Sequence, residues 1–167
     1  MTQDELKILV DELKKKIDEV EAANWPKGPV VDLEKPYVDD RGIIQNLVHT
    51  KMNGAVLIHS NKGAIRANHL HKTDWHFCYM ISGSMNYYHR ESGSNVSPEK
   101  LSVGAGQLIF TPPLVDHAME FTTDSTFLTL SRNMRDPLAY EDDLIRIPNL
   151  IEVSEVEAIH SELGIKK

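Results

Sequence analysis

Nine short β-rich segments fill the middle of the chain and constrain its fold more than any other feature. Each is four to eight residues long and rich in Val, Ile, Tyr, Phe and Thr, with Gly, Pro, Asn, Asp and Ser in the gaps. The segments are residues 43–48, 55–60, 64–71, 75–81, 85–90, 100–103, 107–111, 117–122 and 126–132. Many short strands at this spacing are typical of a β-sandwich or a barrel. The sequence therefore predicts an all-β fold.

A helical pattern precedes this region at residues 2–23. Thr2 and Glu5 have the spacing of a capping box, and an apolar stripe follows them. The stripe consists of Leu6, Leu9, Val10, Leu13, Ile17 and Val20. Five of these six also match a short coiled-coil seam, so the helix either docks on its own domain or contacts a second copy. Two prolines and a glycine at residues 24–30 end the helix.

A second helix is predicted at the C-terminal end. Ser154 and Glu157 form a capping box, and Gly164 suits the residue after the helix. Residues 135–149 are interpreted as irregular. The chain is thus divided into an N-terminal amphipathic helix (1–24), a β-barrel (30–135), and an irregular tail with a C-terminal helix (136–167).

Composition narrows the classes of partner. A chain of 167 residues suits one domain, and its net charge of −7 argues against nucleic acid, which needs a clustered basic surface. The single cysteine excludes an internal disulfide and favours a reducing compartment. We see no signal peptide and no apolar run near the ~20 residues needed to span a membrane. We therefore expect a cytoplasmic protein that binds no membrane.

Three histidines, His69, His71 and His76, lie within eight residues. Residues i and i+2 of a strand point to the same face, so His69 and His71 can converge. His76 and Cys78 lie on the same face of the next strand. If that face points into the barrel, His76 lies close to His69 and His71. Neutral imidazole is the commonest metal ligand, and the cluster suits Zn, Fe, Ni, Cu or Mn. The alternative is a set of interior histidines that hydrogen-bond to each other. Cys78 is interpreted as buried packing rather than a reactive thiol.

The spacing of these histidines resembles the first motif of the cupin family. Gly63, His69, His71, His76 and Gly83 stand at its five positions, with His76 where cupins usually carry glutamate. The resemblance implies a double-stranded β-helix, the cupin jelly-roll barrel, and a dimer formed through strand or helix exchange.

The second cupin motif is matched in part. Gly106, Pro112 and His117 stand at matching positions, whereas Leu114 and Phe121 replace a glycine and an asparagine. The match implies that His117 is a fourth metal ligand, beside His69, His71 and His76.

A narrower resemblance is to dTDP-sugar 3,4-ketoisomerases and 3,5-epimerases. "RANHLHK" at residues 66–72 resembles their R-G-x-H-x-H-K and R-G-x-H segments, and "DDRG" at 39–42 resembles their D-x-R-G segment. The resemblance implies that His69 and His71 transfer protons and that Arg66 and Arg41 contact the substrate. The sequence departs from the pattern at Ala67, where those enzymes have glycine, and they generally work without a metal.

Three functions follow as alternatives. The favoured one is a metal-dependent isomerase or epimerase of a keto sugar or a sugar-nucleotide-like substrate. The others are a non-haem iron dioxygenase of the cupin type and a non-catalytic module that binds a small molecule or sugar. In each case we expect a small-molecule partner and a homodimer.

Overall fold

The chain forms two five-stranded antiparallel sheets, and the computed structural model describes residues 1–162, apart from the side chains of residues 153 and 156–160. In chain order the elements are α1 (Gln3–Lys14), α2 (Glu19–Ala22), β1 (Val30–Val31), β2 (Tyr37–Asp39), β3 (Gly42–Ile44), β4 (Gly54–Ser60), β5 (Ile65–His71), β6 (His76–Ser82), β7 (Ser84–Glu91), β8 (Glu99–Gly104), β9 (Leu108–Thr111), β10 (Val115–Phe121), β11 (Ser125–Ser131), α3 (Pro137–Asp143), β12 (Leu144–Arg146) and α4 (Leu150–Glu162). The all-β class predicted from the sequence is confirmed.

The two sheets face each other across one apolar core. The first has the strand order β1-β9-β6-β11-β4 and the second β12-β5-β10-β7-β8. The core takes Met80 and Phe127 from the first sheet and Met85, Tyr87 and Phe121 from the second. Alternation of buried and exposed residues along β4 and β11 places one face of each strand on this core.

Eight of the nine predicted strands are present with ends shifted by at most two residues. The first prediction, residues 43–48, was too long, because the strand β3 ends at Ile44. It pairs with β2 in a separate two-stranded hairpin. Beyond it the chain leaves the hairpin, and Val48 packs beside Trp75 and Phe77 on the outside of the first sheet.

The N-terminal helix docks on its own barrel. Thr2 and Glu5 form the predicted capping box. Leu6 and Val10 pack with Leu70 and Leu114 of the barrel. Burial of each of these helix side chains contributes about 1.5–3 kcal/mol.

The single helix predicted over residues 2–23 is wrong in its extent. Helix α1 ends at Lys14, and the side chain of Asp18 caps the separate helix α2 by accepting from the backbone N–H groups of Val20 and Glu21. The break lets Glu21 turn back to the barrel, where it accepts from Trp75 Nε1 at 2.6 Å and from Arg132 Nε at 3.0 Å.

The irregular tail predicted for residues 135–149 is also wrong. Asp136 caps α3 and Pro137 occupies its first turn, a common arrangement at a helix start. The following strand β12 pairs with β5. Helix α4 begins at Leu150, four residues before the expected Ser154, while Gly164 lies outside the described residues. In the part of the chain that the structure describes, no helix has the length and apolar character to cross a membrane.

Candidate active site

Four histidines from three strands meet between the sheets. His69 and His71 lie on β5, and His117 on the neighbouring strand β10 stands opposite His69 in the register. His76 lies on β6, which belongs to the other sheet. The strands β5 and β6 follow each other in the chain but do not pair, and His76 approaches the cluster from the facing sheet. Its ring centre lies 5.2 Å from that of His71.

A bulge in β5 aims its two histidines inward. Ala67 and Asn68 have left-handed backbone conformations, with φ of 67° and 56°, and the pairing with β10 shifts register between His117 and Ala118. A bulge re-aims the side chains that follow it. The side chain of Asn68 then accepts a hydrogen bond from the backbone of Leu150, which ties the bulge to the start of α4.

Ligand-type atoms come close enough to share a metal ion. One nitrogen from each of His69, His71 and His117 lies within 4.8 Å of the others, and an overlapping group of the same closeness contains His71, Asp74 and His76. All four histidines are buried. Burial lowers the pKa of His69 to about 2 and that of His117 to about 3, and it holds the pKa of His76 well below its usual value. These three imidazoles are therefore neutral at neutral pH, the form that a metal requires.

Hydrogen bonds fix the orientation of two of these rings. His71 Nδ1 lies 3.1 Å from Asp143 Oδ2, and His117 Nδ1 lies 3.1 Å from the carbonyl oxygen of Val115. Neutral rings that donate from Nδ1 present the Nε2 lone pair. Asp143 also accepts from the backbone and hydroxyl of Thr73. Burial raises the pKa of Asp143, but its hydrogen bonds from His71 and Thr73 outweigh that effect and leave the pKa below its usual value.

The donor set fits a metal ion. His71 Nε2 and His76 Nδ1 are buried, and neither has a hydrogen-bond partner among the described residues. A buried nitrogen without a partner is costly, and coordination of a cation removes that cost. The pair of His71 with Asp143 is also the usual support for a metal-binding imidazole.

The cluster lines a cavity of about 140 Å³. The lining residues are Ile58, Arg66, Ala67, His69, His71, His76, Cys78, His117, Met119, Phe127, Thr129, Arg135 and Tyr140. Burial raises the pKa of the Cys78 thiol to about 11, which keeps it protonated as part of the cavity wall. This agrees with its interpretation as packing.

The two arginines predicted to contact a substrate lie in different places. Arg66 reaches the cavity wall, where its guanidinium donates to Ser60 Oγ and to the carbonyl oxygen of His59. Arg41 lies in the turn of the β2–β3 hairpin, exposed, and pairs with Asp39 at 2.6 Å. It is not among the residues that line the cavity of this chain.

Three residues of the site were missed from the sequence. Arg135, Tyr140 and Asp143 come from the segment that was expected to be irregular. The ring of Tyr140 lies 5.7 Å from that of His71, and Arg135 lies over the face of Tyr140, with 4.7 Å from its guanidinium carbon to the ring centre. Burial raises the pKa of Tyr140, so its hydroxyl stays protonated. The sequence feature that could have predicted this helix is Asp-Pro at 136–137, a common helix start. In such a helix Tyr140 and Asp143 are three residues apart and lie on one face.

The two facing sheets, with a histidine cluster between them, define a protein of the cupin jelly-roll fold, as the sequence predicts. Solved structures of the same fold support this conclusion. No protein-family model matches the sequence, and a search of curated proteins finds no match.

Two similar structures are sugar ketoisomerases. The TDP-quinovose 3,4-ketoisomerase WlaRB of Campylobacter jejuni is 20% identical with a TM-score of 0.61, over 78% of this chain and 99% of that one. A mutant of the 3,4-ketoisomerase QdtA of Thermoanaerobacterium thermosaccharolyticum, in complex with TDP-4-keto-6-deoxyglucose, is 18% identical with a TM-score of 0.56, over 72% of this chain and 87% of that one.

A third similar structure is longer than this chain. The capsular polysaccharide assembling protein CapF of Staphylococcus aureus is 21% identical with a TM-score of 0.52, over 72% of this chain. The match spans 35% of CapF, so the chain corresponds to about a third of that protein. At these identities the three likenesses establish the fold.

Proposed function

We propose that the protein isomerises a keto sugar by moving a proton between two adjacent carbon atoms. The observation that carries this proposal is the state of His71. Its Nδ1 is paired with Asp143, while its Nε2 is buried at the cavity without a hydrogen-bond partner among the described side chains. An imidazole held in this way by a carboxylate is suited to general acid–base catalysis. The similar structures described as 3,4-ketoisomerases support the same class of reaction.

The proton transfer can be written with the residues of the cavity. His71 Nε2 accepts the proton from the carbon beside the carbonyl, and the electrons of that C–H bond form the double bond of an enediolate. The carbonyl oxygen takes up the charge, and Tyr140 is the neighbouring group that can donate a proton to it. His71 then returns its proton to the former carbonyl carbon. Loss of the adjacent hydroxyl proton to Tyr140 leaves the new carbonyl, and no external reactant is needed.

A divalent transition metal is a further part of the proposal. His69, His71 and His117 would hold it, with His76 as the fourth ligand, and the candidates are Fe, Zn, Ni, Mn and Cu. Such an ion would supply Lewis-acid polarisation of a carbonyl group. Because His71 has one free lone pair, metal binding and proton acceptance at that atom exclude each other. The metal content of the active protein therefore decides the role of His71.

The group of three histidines also favours a second candidate, a non-haem iron dioxygenase. Three protein ligands leave coordination positions open for other molecules. Iron in the purified protein and O₂ uptake with a substrate would support it. Ligand binding without turnover, unaffected by substitution of His71 or His117, would instead support a binding module.

Exchange with solvent deuterium tests the isomerase. The protein is incubated in D₂O with TDP-4-keto-6-deoxyglucose, and NMR follows deuterium at the carbons beside the carbonyl. We expect exchange by the wild type and a loss of about 10²–10⁴-fold in His71→Asn, the usual contribution of a positioned acid–base group. His49→Asn is the matched control, because His49 is exposed and pairs with Glu34 away from the cavity.

Two results would contradict the isomerase. One is the absence of exchange by the wild type with this substrate, with simple keto sugars and with keto sugars that carry a carboxylate. The other is an equal rate in His71→Asn and the wild type. Elemental analysis of the same preparations then shows whether His71 acts as a metal ligand or as the proton acceptor.

A further inference from the structure

Arg135 is a cation at the cavity wall for which the described residues show no direct ion pair. One face of its guanidinium is covered by the ring of Tyr140. Its Nε is buried, and it has no hydrogen-bond partner among the side chains that the structure describes. Among the same side chains, which leave out those of residues 153 and 156–160, no carboxylate oxygen lies within 4.0 Å of the guanidinium. A buried nitrogen without a partner is costly, so an anion that accepts from it would stabilise the protein.

The described residues that line the cavity offer Arg135 no carboxylate partner. The residues that line it include no Asp or Glu in the described part of the chain, and Arg66 adds a second cation. Two carboxylates beside the histidines, those of Asp74 and Asp143, accept hydrogen bonds from other groups. Asp74 accepts from the backbone of Asn133 at 2.8 Å, and Asp143 accepts from His71 and Thr73. Among the described residues, those that line the cavity therefore supply two cations, Arg66 and Arg135, and no carboxylate.

The cavity limits the size of the group that meets Arg135. Its volume of about 140 Å³ holds on the order of ten water-sized groups, since one such group needs about 10–15 Å³. That is enough for a sugar ring or a small keto acid. The cavity has no room for a nucleoside diphosphate in addition to a sugar ring. The anion at Arg135 therefore belongs to the part of the ligand that lies among the histidines.

We propose that Arg135 binds a carboxylate carried by the reacting part of the substrate. A planar carboxylate matches the guanidinium fork with two parallel hydrogen bonds, and the stacking on Tyr140 holds that fork in one orientation. The substrate class then narrows to acidic keto sugars, such as oxidised uronates, and keto acids of similar size. This narrowing rests on the proposed function, whereas the carboxylate site itself does not.

A matched pair of sugars tests the carboxylate site. Glucuronate and glucose share a ring and differ in a carboxylate against a hydroxymethyl group. We expect titration calorimetry to show that the wild type binds glucuronate about 10–100-fold more tightly, the range given by hydrogen bonds to a charged group. The preference should persist in EDTA and disappear in Arg135→Gln. Arg132→Gln, which removes the same charge from an arginine paired with Glu21 outside the cavity, should keep it.

Melting temperatures provide an independent readout. Addition of glucuronate should raise the melting temperature of the wild type more than addition of glucose does, and this difference should be absent in Arg135→Gln. Equal shifts with the two sugars in the wild type, or the same difference in Arg135→Gln, would overturn the inference. Equal binding of the two sugars by the wild type, loss of the preference in EDTA, or its survival in Arg135→Gln also overturns it.

Deuterium exchange and sugar binding test the isomerase and the carboxylate site separately. Deuterium exchange into a neutral keto sugar without any carboxylate preference removes the carboxylate site and leaves the isomerase. A carboxylate preference that depends on Arg135, with no exchange into any keto compound, supports the site and removes the isomerase.

Discussion

Two residues hold left-handed backbone conformations at positions where the related motifs carry glycine. Ala67 has φ of 67° and Leu114 has φ of 61°. This conformation costs a residue with a Cβ atom about 1–2 kcal/mol. At Leu114 the cost is offset, because its buried side chain packs against Leu6 and Val10 of α1. At Ala67 the methyl group adds little packing energy, so the conformational cost in the bulge of β5 is not offset by this side chain.

Ala67→Gly should therefore stabilise the protein. Relief of about 1–2 kcal/mol of strain exceeds the roughly 0.5–1 kcal/mol that glycine costs through chain entropy, so we expect a gain of about 0.5–1 kcal/mol in the free energy of unfolding. Urea denaturation measures it. Leu114→Gly is the control, since the same relief is outweighed there by about 2–5 kcal/mol of lost packing. Destabilisation by both substitutions would contradict the strain at Ala67.

The histidines of the site were predictable from spacing, whereas the residues that orient and surround them were not. The i, i+2 rule and the motif spacing bring His69 and His71 together, and the partial second motif brings His117. The contact of Asp143 with His71 spans 72 positions of sequence. It depends on β12 pairing with β5, and a strand of three residues leaves no periodic pattern to read.

The apolar stripe of α1 could pack on its own domain or on a second copy, and in the structure it packs on its own domain. Leu6, Val10, Leu13 and Ile17 pack at the barrel beside Leu70 and Leu114. The apolar face that a coiled coil would need is therefore already packed against the barrel. Val20, the last residue of the expected seam, is exposed, because the chain turns at Asp18 before reaching it.

Two substitutions on α1 separate docking from mere helix formation. Leu6→Ala removes a buried side chain and should cost about 2–3 kcal/mol of unfolding free energy, within the usual range for buried leucine. Ile8→Ala changes an exposed residue of the same helix, and its effect should stay within about 0.5 kcal/mol. Both are measured by urea denaturation. Equal effects of the two would mean that α1 is not docked on the barrel in solution.

The molecule has a third, small sheet, the β2–β3 hairpin, which is separate from the two five-stranded sheets. Within residues 1–162 its strands pair only with each other. Tyr37, Val38, Ile43 and Ile44 are each at least 60% exposed, so apolar side chains cover the hairpin without burial. A two-stranded hairpin is marginal alone, and an exposed apolar patch of this kind marks an interaction site. The edge strand β4, with Leu57 exposed, is a further unpaired surface of the described chain.

These surfaces lead us to expect a homodimer held by the hairpin rather than by the N-terminal helix. Ile43→Lys places a charge in the contact and should weaken the dimer by about 10–100-fold, since burial of one such side chain contributes about 1.5–3 kcal/mol. Sedimentation velocity across a concentration series measures the shift. Ile8→Lys is the matched control, because Ile8 is equally exposed but lies on α1. A monomeric wild type, or a dimer weakened by Ile8→Lys and not by Ile43→Lys, would rule the hairpin out as the contact.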